Sequence, residues 1–238
     1  MVRSLALLTF CALLTCAGVV QAAPVSNLDE PLGNSGWRIF GPSHYDLEVS
    51  VDGEGDANGV QWVAITISKN FRFGPDPLTG LYPAIELDFS QMDGVAPENL
   101  ATRIIIQSEL INNSTGTDWT DYHWKLFGHE IARFNRDLTN PTADFEEDGW
   151  WLDAFSEFAW DYDAEHDIDM LNAWNGVVPD GEAFFPGSGS GSLVIDVTLD
   201  GQSTPDTAVF KFVQTPTPEP ATISLLVLGG AVLLSKRR

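Results

Sequence analysis

The stretch YDLEVSVDGEGDANGVQWVAITISKNF, residues 45–71, decides the fold. Apolar and polar side chains alternate over residues 45–51, which is typical of a β-strand with one face in a core and one in water. Residues 60–71 repeat the alternation. The residues between them, 52–59, are Gly, Asp, Asn and Ala with one Glu, and this composition favours a hairpin loop.

Working outward from this hairpin, other segments have the same character. They are short, rich in β-branched or aromatic residues, and bounded by turn formers, at residues 84–89, 101–111, 122–127, 156–162, 192–199 and 207–214. No sustained 3.6-residue apolar period separates them. The sequence therefore predicts an all-β domain at residues 42–214, an antiparallel β-sandwich of jelly-roll or immunoglobulin-like type, after an irregular lead-in at residues 23–41.

The net charge limits the partners of this domain. The chain carries a formal charge of −22, and its acidic residues all lie between Asp29 and Glu219. Such a surface repels nucleic acid phosphates and anionic lipid headgroups, and it favours solubility or divalent cations. We therefore expect no nucleic-acid partner.

The first residues have the layout of a secretory signal peptide. One cation, an apolar stretch and small residues follow one another in MVRSLALLTFCALLTCAGVVQA, residues 1–22, which predicts passage through a Sec-type export machinery and cleavage after Ala22. A first transmembrane helix and a lipoprotein cut at Cys16 are the alternatives. Both cysteines, Cys11 and Cys16, lie in this segment, so the mature chain is expected to have no disulfide, catalytic thiolate or cysteine metal site.

Enzyme signatures are missing from the sequence. The four histidines stand outside any HExxH, GxSxG or phosphate-cradling Gly-Lys motif, and these motifs are the usual anchors for hydrolase and nucleotide chemistry. We therefore expect no enzyme and no required cofactor. A secreted hydrolase remains the weaker alternative, because a glycosidase needs only two well-placed carboxylates, which spacing cannot reveal.

Calcium is the better-motivated chemistry. The segment DYDAEHDID places carboxylates at alternate positions: Asp161, Asp163, Glu165, Asp167 and Asp169. An EF-hand would need Gly at its sixth position and Glu at its twelfth, where this chain has His166 and Asn172. A strand whose acidic residues all face water would give the same alternation. The five carboxylates are thus calcium candidates beside that simpler interpretation.

Aromatic residues are dense between Trp119 and Trp174. Exposed Trp and Tyr rings, for example at Trp150 and Trp151, would suit a carbohydrate-binding module that stacks sugars. The alternative is that these rings fill the core of the sandwich. Extracellular polysaccharide is therefore a candidate partner.

The last residues, TPTPEPATISLLVLGGAVLLSKRR at 215–238, form a distinct tail. Pro218, Glu219 and Pro220 keep its entry extended, because proline fixes its own backbone and restricts its predecessor. An apolar helix is predicted at residues 221–235. Its 14 apolar-rich residues, 221–234, would cover roughly 21 Å, short of a hydrocarbon core of about 30 Å. The cations Lys236, Arg237 and Arg238 are expected to hold that end on the cytoplasmic side.

Together, Pro-Glu-Pro, the apolar helix with Gly229-Gly230 and the basic end resemble the PEP-CTERM sorting signal. The same tail is also labelled an ice-binding protein carboxy-terminal domain, although the body lacks a regular Thr-x-Thr ladder. The resemblance implies processing by an exosortase, a membrane-embedded enzyme of Gram-negative bacteria that make extracellular polysaccharide. It implies transient anchoring in the inner membrane, then a place at the cell surface or outside the cell. We expect a structural or adhesive role in the envelope or biofilm matrix.

Overall fold

The computed structural model describes residues 28–42, 45–128, 130–147, 149–188, 191–198 and 209–218. The predicted signal peptide at residues 1–22 and apolar helix at 221–235 lie outside these residues, as do Glu219, Pro220, Lys236, Arg237 and Arg238. Pro218 is the last residue described.

Short strands dominate the described residues, and the one α-helix among them, α1, is the four-residue segment Arg136–Thr139. The strands are β1 (Leu28–Pro31), β2 (Trp37–Gly41), β3 (Asp46–Ala57), β4 (Val60–Phe71), β5 (Ile85–Gln91), β6 (Arg103–Asn113), β7 (Trp119–Phe127), β8 (Ala132–Phe134), β9 (Pro141–Thr142), β10 (Trp150–Trp151), β11 (Phe155–Asp163), β12 (Ile168–Gly176), β13 (Ala183–Phe184), β14 (Leu193–Val197) and β15 (Val209–Pro218). No helix in the described part of the chain has the length and apolar character needed to cross a membrane.

Two large sheets form a sandwich-like fold. One has seven strands in the order β1-β2-β5-β15-β7-β12-β11, and the other has five in the order β3-β4-β6-β14-β8, with β13 also paired to β6. The prediction of an all-β, sandwich-like domain is confirmed at this level. The pairing is mainly antiparallel, but β4 runs parallel to β6, and the small β9–β10 pair is also parallel.

The core lies between the two sheets and takes alternate residues from both. Ile65 of β4 and Ile106 of β6 come from one sheet, and Leu126 of β7 from the other, all fully buried. At one end, Phe89 and Phe210 stack with their ring centroids 4.6 Å apart. The alternation of apolar and polar residues in the sequence therefore indicates which face of each strand is buried.

The predicted irregular lead-in at residues 23–41 is wrong over its described part. Residues 28–31 and 37–41 form β1 and β2, and both Trp37 and Ile39 are fully buried. Only residues 32–36 turn, with Gly33 and Gly36 at positive φ. The Gly, Asn and Ser residues correctly indicated this turn. The short apolar strand that follows was not recognised from the sequence.

Two other boundaries also differ from the sequence prediction. The loop expected at residues 52–59 is much shorter, because β3 and β4 continue to a two-residue turn at Asn58 and Gly59, whose φ angles are 56° and 81°. Positive φ at both positions is the type I′ geometry that suits a twisted hairpin. At the other end of the domain, β15 runs past residue 214 to Pro218.

Candidate functional site

Two β-bulges lie side by side in the five-strand sheet, one on each neighbour of β4. In β3 the pairing register shifts at Asp52, and in β6 it shifts at Gln107, both opposite the Ile65 region of β4. A bulge bends its strand and re-aims a side chain, and bulges are over-represented next to functional sites. Because two bulges lie opposite the same part of β4, this region of the sheet is a candidate functional site.

The bulge at Gln107 also changes which side chains of β6 face the core. Before the bulge Ile104 and Ile106 are buried, and after it the buried positions are Glu109 and Ile111. Without the extra residue, the alternation would put Ser108 inward and Glu109 outward. Ser108 therefore lies on the outer face of the sheet, beside exposed Gln107.

Hydroxyl groups on this outer face form a hydrogen-bonded row. The Thr66 hydroxyl donates to Asp52 Oδ2 at 2.8 Å, and the hydroxyl oxygens of Thr66 and Ser108 are 3.1 Å apart. An ionised carboxylate only accepts, so the single Thr66 proton is committed to Asp52 and Ser108 must donate to Thr66. The remaining lone pairs of Ser108 are therefore available to a ligand.

A groove of about 460 Å³ opens beside this row, and we name it the outer-face groove. Strands β4 and β6 line one side, and described residues between β13 and β14, at positions 185, 187, 188, 191 and 192, line the other. Its polar and aromatic lining includes Thr66, Gln107, Ser108, Phe185, Ser188 and Ser192. Phe185 is 42% exposed, and its backbone N–H donates to the Asp153 carboxylate at 3.0 Å.

Gly187 lets the loop lie close to the bulge. Its φ is +77°, and a Cβ at this position would stand 2.7 Å from Trp150 Nε1. The N–H of Gly187 donates to Trp151 O at 2.9 Å, and Pro186 O accepts from Glu109 N at 2.9 Å. The buried indole Nε1–H of Trp150 has no hydrogen-bond partner among the described residues. The wall of the groove is therefore fixed by backbone contacts that only glycine permits.

Beneath the groove, a buried polar network joins the two sheets. Lys69 forms an ion pair with Glu109, and both side chains are fully buried. Glu109 also accepts from Trp124 Nε1 at 2.7 Å and from Gln214 Nε2 at 2.8 Å. Tyr122 donates to Gln214 Oε1 at 2.7 Å.

Burial sets the protonation behaviour of this network. It lowers the pKa of Lys69, with Glu109 opposing that shift. Burial raises the pKa of Tyr122 well above its ordinary value, and the charge of Glu109 adds to this. Gln214 belongs to β15, so the network ties the last strand of the domain to both sheets.

The five calcium candidates are not brought together. Asp161 and Asp163 lie in β11, residues 164–167 turn, and Asp169 lies in β12 opposite Tyr162. Because residues that pair directly share a face, Asp169 faces the side opposite to Asp161 and Asp163. Among the described residues, no three His, Cys, Asp or Glu side chains are placed to hold a metal ion.

Protein groups engage several of these carboxylates. Asp163 accepts from the N–H of Glu165 at 3.0 Å and from the His166 ring, and the latter bond lowers the pKa of Asp163. Asp169 is 3% exposed and accepts from Arg136 at 2.8 Å. Asp167 accepts from the Tyr162 hydroxyl at 2.7 Å. The alternating carboxylates thus come from two strands and the turn between them.

Most of the dense aromatic residues belong to the core. Trp119, Trp124 and Trp150 are fully buried, as is Tyr122, which confirms the core interpretation for them. Trp150 therefore cannot serve as the sugar platform considered from the sequence. Trp151 is half-buried, with its ring centroid 5.0 Å from that of Phe145.

A second pocket, of about 440 Å³, has the acidic residues Asp153, Asp180 and Glu182 in its lining. Burial raises the pKa of Asp153. Two of these groups already hold backbone in place, because Asp153 accepts from Phe185 N and Asp180 accepts from Gly116 N at 2.7 Å. Their contacts are those of loop anchors.

Comparisons of the chain with protein-family models, with curated proteins and with solved structures find no match. Its function therefore has to be inferred from its own residues. Sequence reasoning missed the groove residues Asp52, Thr66, Gln107 and Ser108. The break in alternation within RIIIQSELI, residues 103–111, was the available signal.

Proposed function

We propose that this chain is a non-enzymatic exported protein that is sorted through its C-terminal tail. The order Pro218-Glu219-Pro220, apolar residues and Lys236-Arg237-Arg238 carries the proposal. Sec-type machinery would export the chain, and an exosortase-type enzyme would process the tail while it rests in the inner membrane. The domain would then act at the cell surface or outside the cell, as a structural or adhesive part of the envelope or biofilm matrix.

The position of β15 supports this reading of the tail. This strand lies inside the seven-strand sheet between β5 and β7, and its last pair joins Pro218 to Trp119. Pro218, the first residue of the motif, is therefore the last described residue of the strand. The motif thus begins within the last strand of the domain, so the processing enzyme would act next to the folded sheet.

The composition of the β-domain is consistent with a protein that acts outside the cell. An acidic, all-β domain without cysteine stays soluble at high charge and needs no redox partner. The proposed precursor has three parts. A signal peptide that is later cleaved comes first, a domain of jelly-roll or immunoglobulin-like topology follows, and a hydrophobic helix comes last. No cofactor is required in this account.

The double variant Pro218→Ala plus Glu219→Ala tests the proposal. Expressed in an exosortase-containing host, it should remain in the membrane fraction at full tail length, while the wild type is shortened. Thr217→Ala, which alters the neighbouring residue and keeps the motif, is the matched control and should be shortened normally. Equal shortening of the double variant and the wild type would reject sorting through this motif.

A secreted hydrolase is the alternative function, and its candidate catalytic site is the pocket lined by Asp153, Asp180 and Glu182. Catalysis there would require Asp153 and Glu182 to act as an acid and base pair. We expect Asp153→Asn to leave any polysaccharide hydrolysis by the preparation unchanged. Loss of such activity in Asp153→Asn, with the fold retained, would replace the non-enzymatic proposal.

A further inference from the structure

We propose that the outer-face groove binds a neutral oligosaccharide. This proposal concerns a ligand of the folded domain and does not depend on how the chain is exported or sorted. It rests on the two aligned bulges, the hydrogen-bonded row of Asp52, Thr66 and Ser108, the exposed ring of Phe185 and the charge of the groove.

The polar side of the groove matches a ligand that carries both donors and acceptors. Ser108 gives its proton to Thr66, so it offers acceptor lone pairs to the groove. The amide of exposed Gln107 offers an acceptor and two donors. Ser188 and Ser192 add hydroxyls from the opposite wall. Sugar hydroxyls also donate and accept, so they can pair with this mixed lining.

The apolar side of the groove matches the C–H face of a pyranose ring. Phe185 is 42% exposed at the groove, and half-buried Leu110 lies on the same wall as Ser108. An exposed aromatic ring supplies a flat apolar surface at small entropic cost. A ligand with hydroxyls along its edges and C–H groups on its faces can use both sides of the groove at once.

The charge around the groove favours a neutral ligand over an anionic one. The described residues that line it include no Lys or Arg. Asp52 is beside it, and the chain as a whole carries −22. The ammonium of Lys69, on the neighbouring strand β4, is fully buried and paired with Glu109. Phosphorylated or uronic-acid ligands would therefore meet repulsion without a compensating cation.

The groove is also shaped before any ligand arrives. The bulges at Asp52 and Gln107 are fixed by pairing to β4, and the facing loop is held at Gly187 and Phe185 by backbone hydrogen bonds. Its volume of about 460 Å³ lies within the range of about 300–1,000 Å³ typical of ligand pockets. A preformed site loses little conformational freedom on binding.

Saturation-transfer difference NMR on the full-length chain tests this proposal. The protein is held in a detergent without a sugar headgroup, and the probes are cellohexaose, xylohexaose, laminarihexaose and mannohexaose, with hexagalacturonate as the anionic comparison. We expect at least one neutral hexaose to bind and hexagalacturonate to bind at least tenfold more weakly.

Two exposed positions in the groove provide the variants. Phe185→Ala and Gln107→Ala should each weaken binding of that hexaose at least tenfold, with unchanged near-ultraviolet circular dichroism. Phe145→Ala, which removes a ring that is 54% exposed outside the groove, is the control and should bind like the wild type. The proposal is overturned if no neutral hexaose binds, if binding survives both groove variants, if Phe145→Ala weakens it equally, or if hexagalacturonate binds best.

Discussion

Removing Glu109 should destabilise the domain strongly because it leaves a buried charge without its partner. In Glu109→Leu, the fully buried Lys69 ammonium loses its counter-ion, and the donors of Trp124 and Gln214 lose their acceptor. Breaking a buried ion pair from one side costs about 3–5 kcal/mol. Each orphaned donor adds about 1–3 kcal/mol. Because these terms overlap, we expect a loss of about 4–6 kcal/mol in the free energy of unfolding at pH 7.

The double variant Lys69→Met plus Glu109→Leu separates charge from packing. Replacing a buried pair by apolar side chains is often neutral or stabilising, whereas the Trp124 and Gln214 donors stay without their acceptor. We therefore expect the double variant to recover at least half of the loss. Denaturant unfolding of the wild type, the single variant and the double variant measures this.

The pH dependence gives an independent check on the same variant. Without Glu109, burial alone acts on Lys69, and burial lowers its pKa below the unfolded value. The unfolded state then binds more protons than the folded state, so the stability of Glu109→Leu should rise with pH toward about 10. A loss below about 1 kcal/mol in Glu109→Leu, a double variant as unstable as the single one, or no rise with pH would refute this account of the network.

Three further predictions concern other parts of the fold. Burial lowers the pKa of His123, so the wild type should lose stability as pH falls below about 6.5, and His123→Gln should show a flatter unfolding profile between about pH 5 and 7; parallel profiles would contradict this. Gly187→Ala should cost about 2–4 kcal/mol, because it adds crowding against Trp150 to a positive φ, whereas Gly181→Ala, with φ +81° and open space, should cost about 1–2 kcal/mol; equal melting temperatures would show that the wall is not tightly packed. Excess Ca²⁺ should leave the melting temperature unchanged, because Asp169, Asp167 and Asp163 accept hydrogen bonds from protein groups; a clear rise, with heat in titration calorimetry, would show that the domain binds calcium.

The sequence predicted best where alternation ran without interruption. For β4 the predicted and observed bounds are the same, residues 60–71, and buried and half-buried positions alternate from Ile65 to Phe71. It failed at β12, where buried Asp169 and half-buried Asn172 interrupt the apolar pattern. Asp169 is acceptable inside because Arg136 reaches it from another element, and such a partner is invisible in a single strand.

The broken alternation at residues 103–111 was the one sequence signal of the outer-face groove, and it could not be interpreted alone for a related reason. A bulge exists only relative to a paired strand, so the extra residue at Gln107 has meaning only once β4 is known to lie beside β6. The same holds for Glu109, which is buried. Its burial depends on Lys69 from β4 and on Gln214 from the far end of the chain.

Intact-mass spectrometry of the protein recovered from the cell envelope and the medium tests the central claim of export and sorting most directly. We predict a chain that begins at Ala23 and lacks the basic end Lys236-Arg237-Arg238. Recovery only of the full chain from Met1 to Arg238, inside the cell, would contradict it.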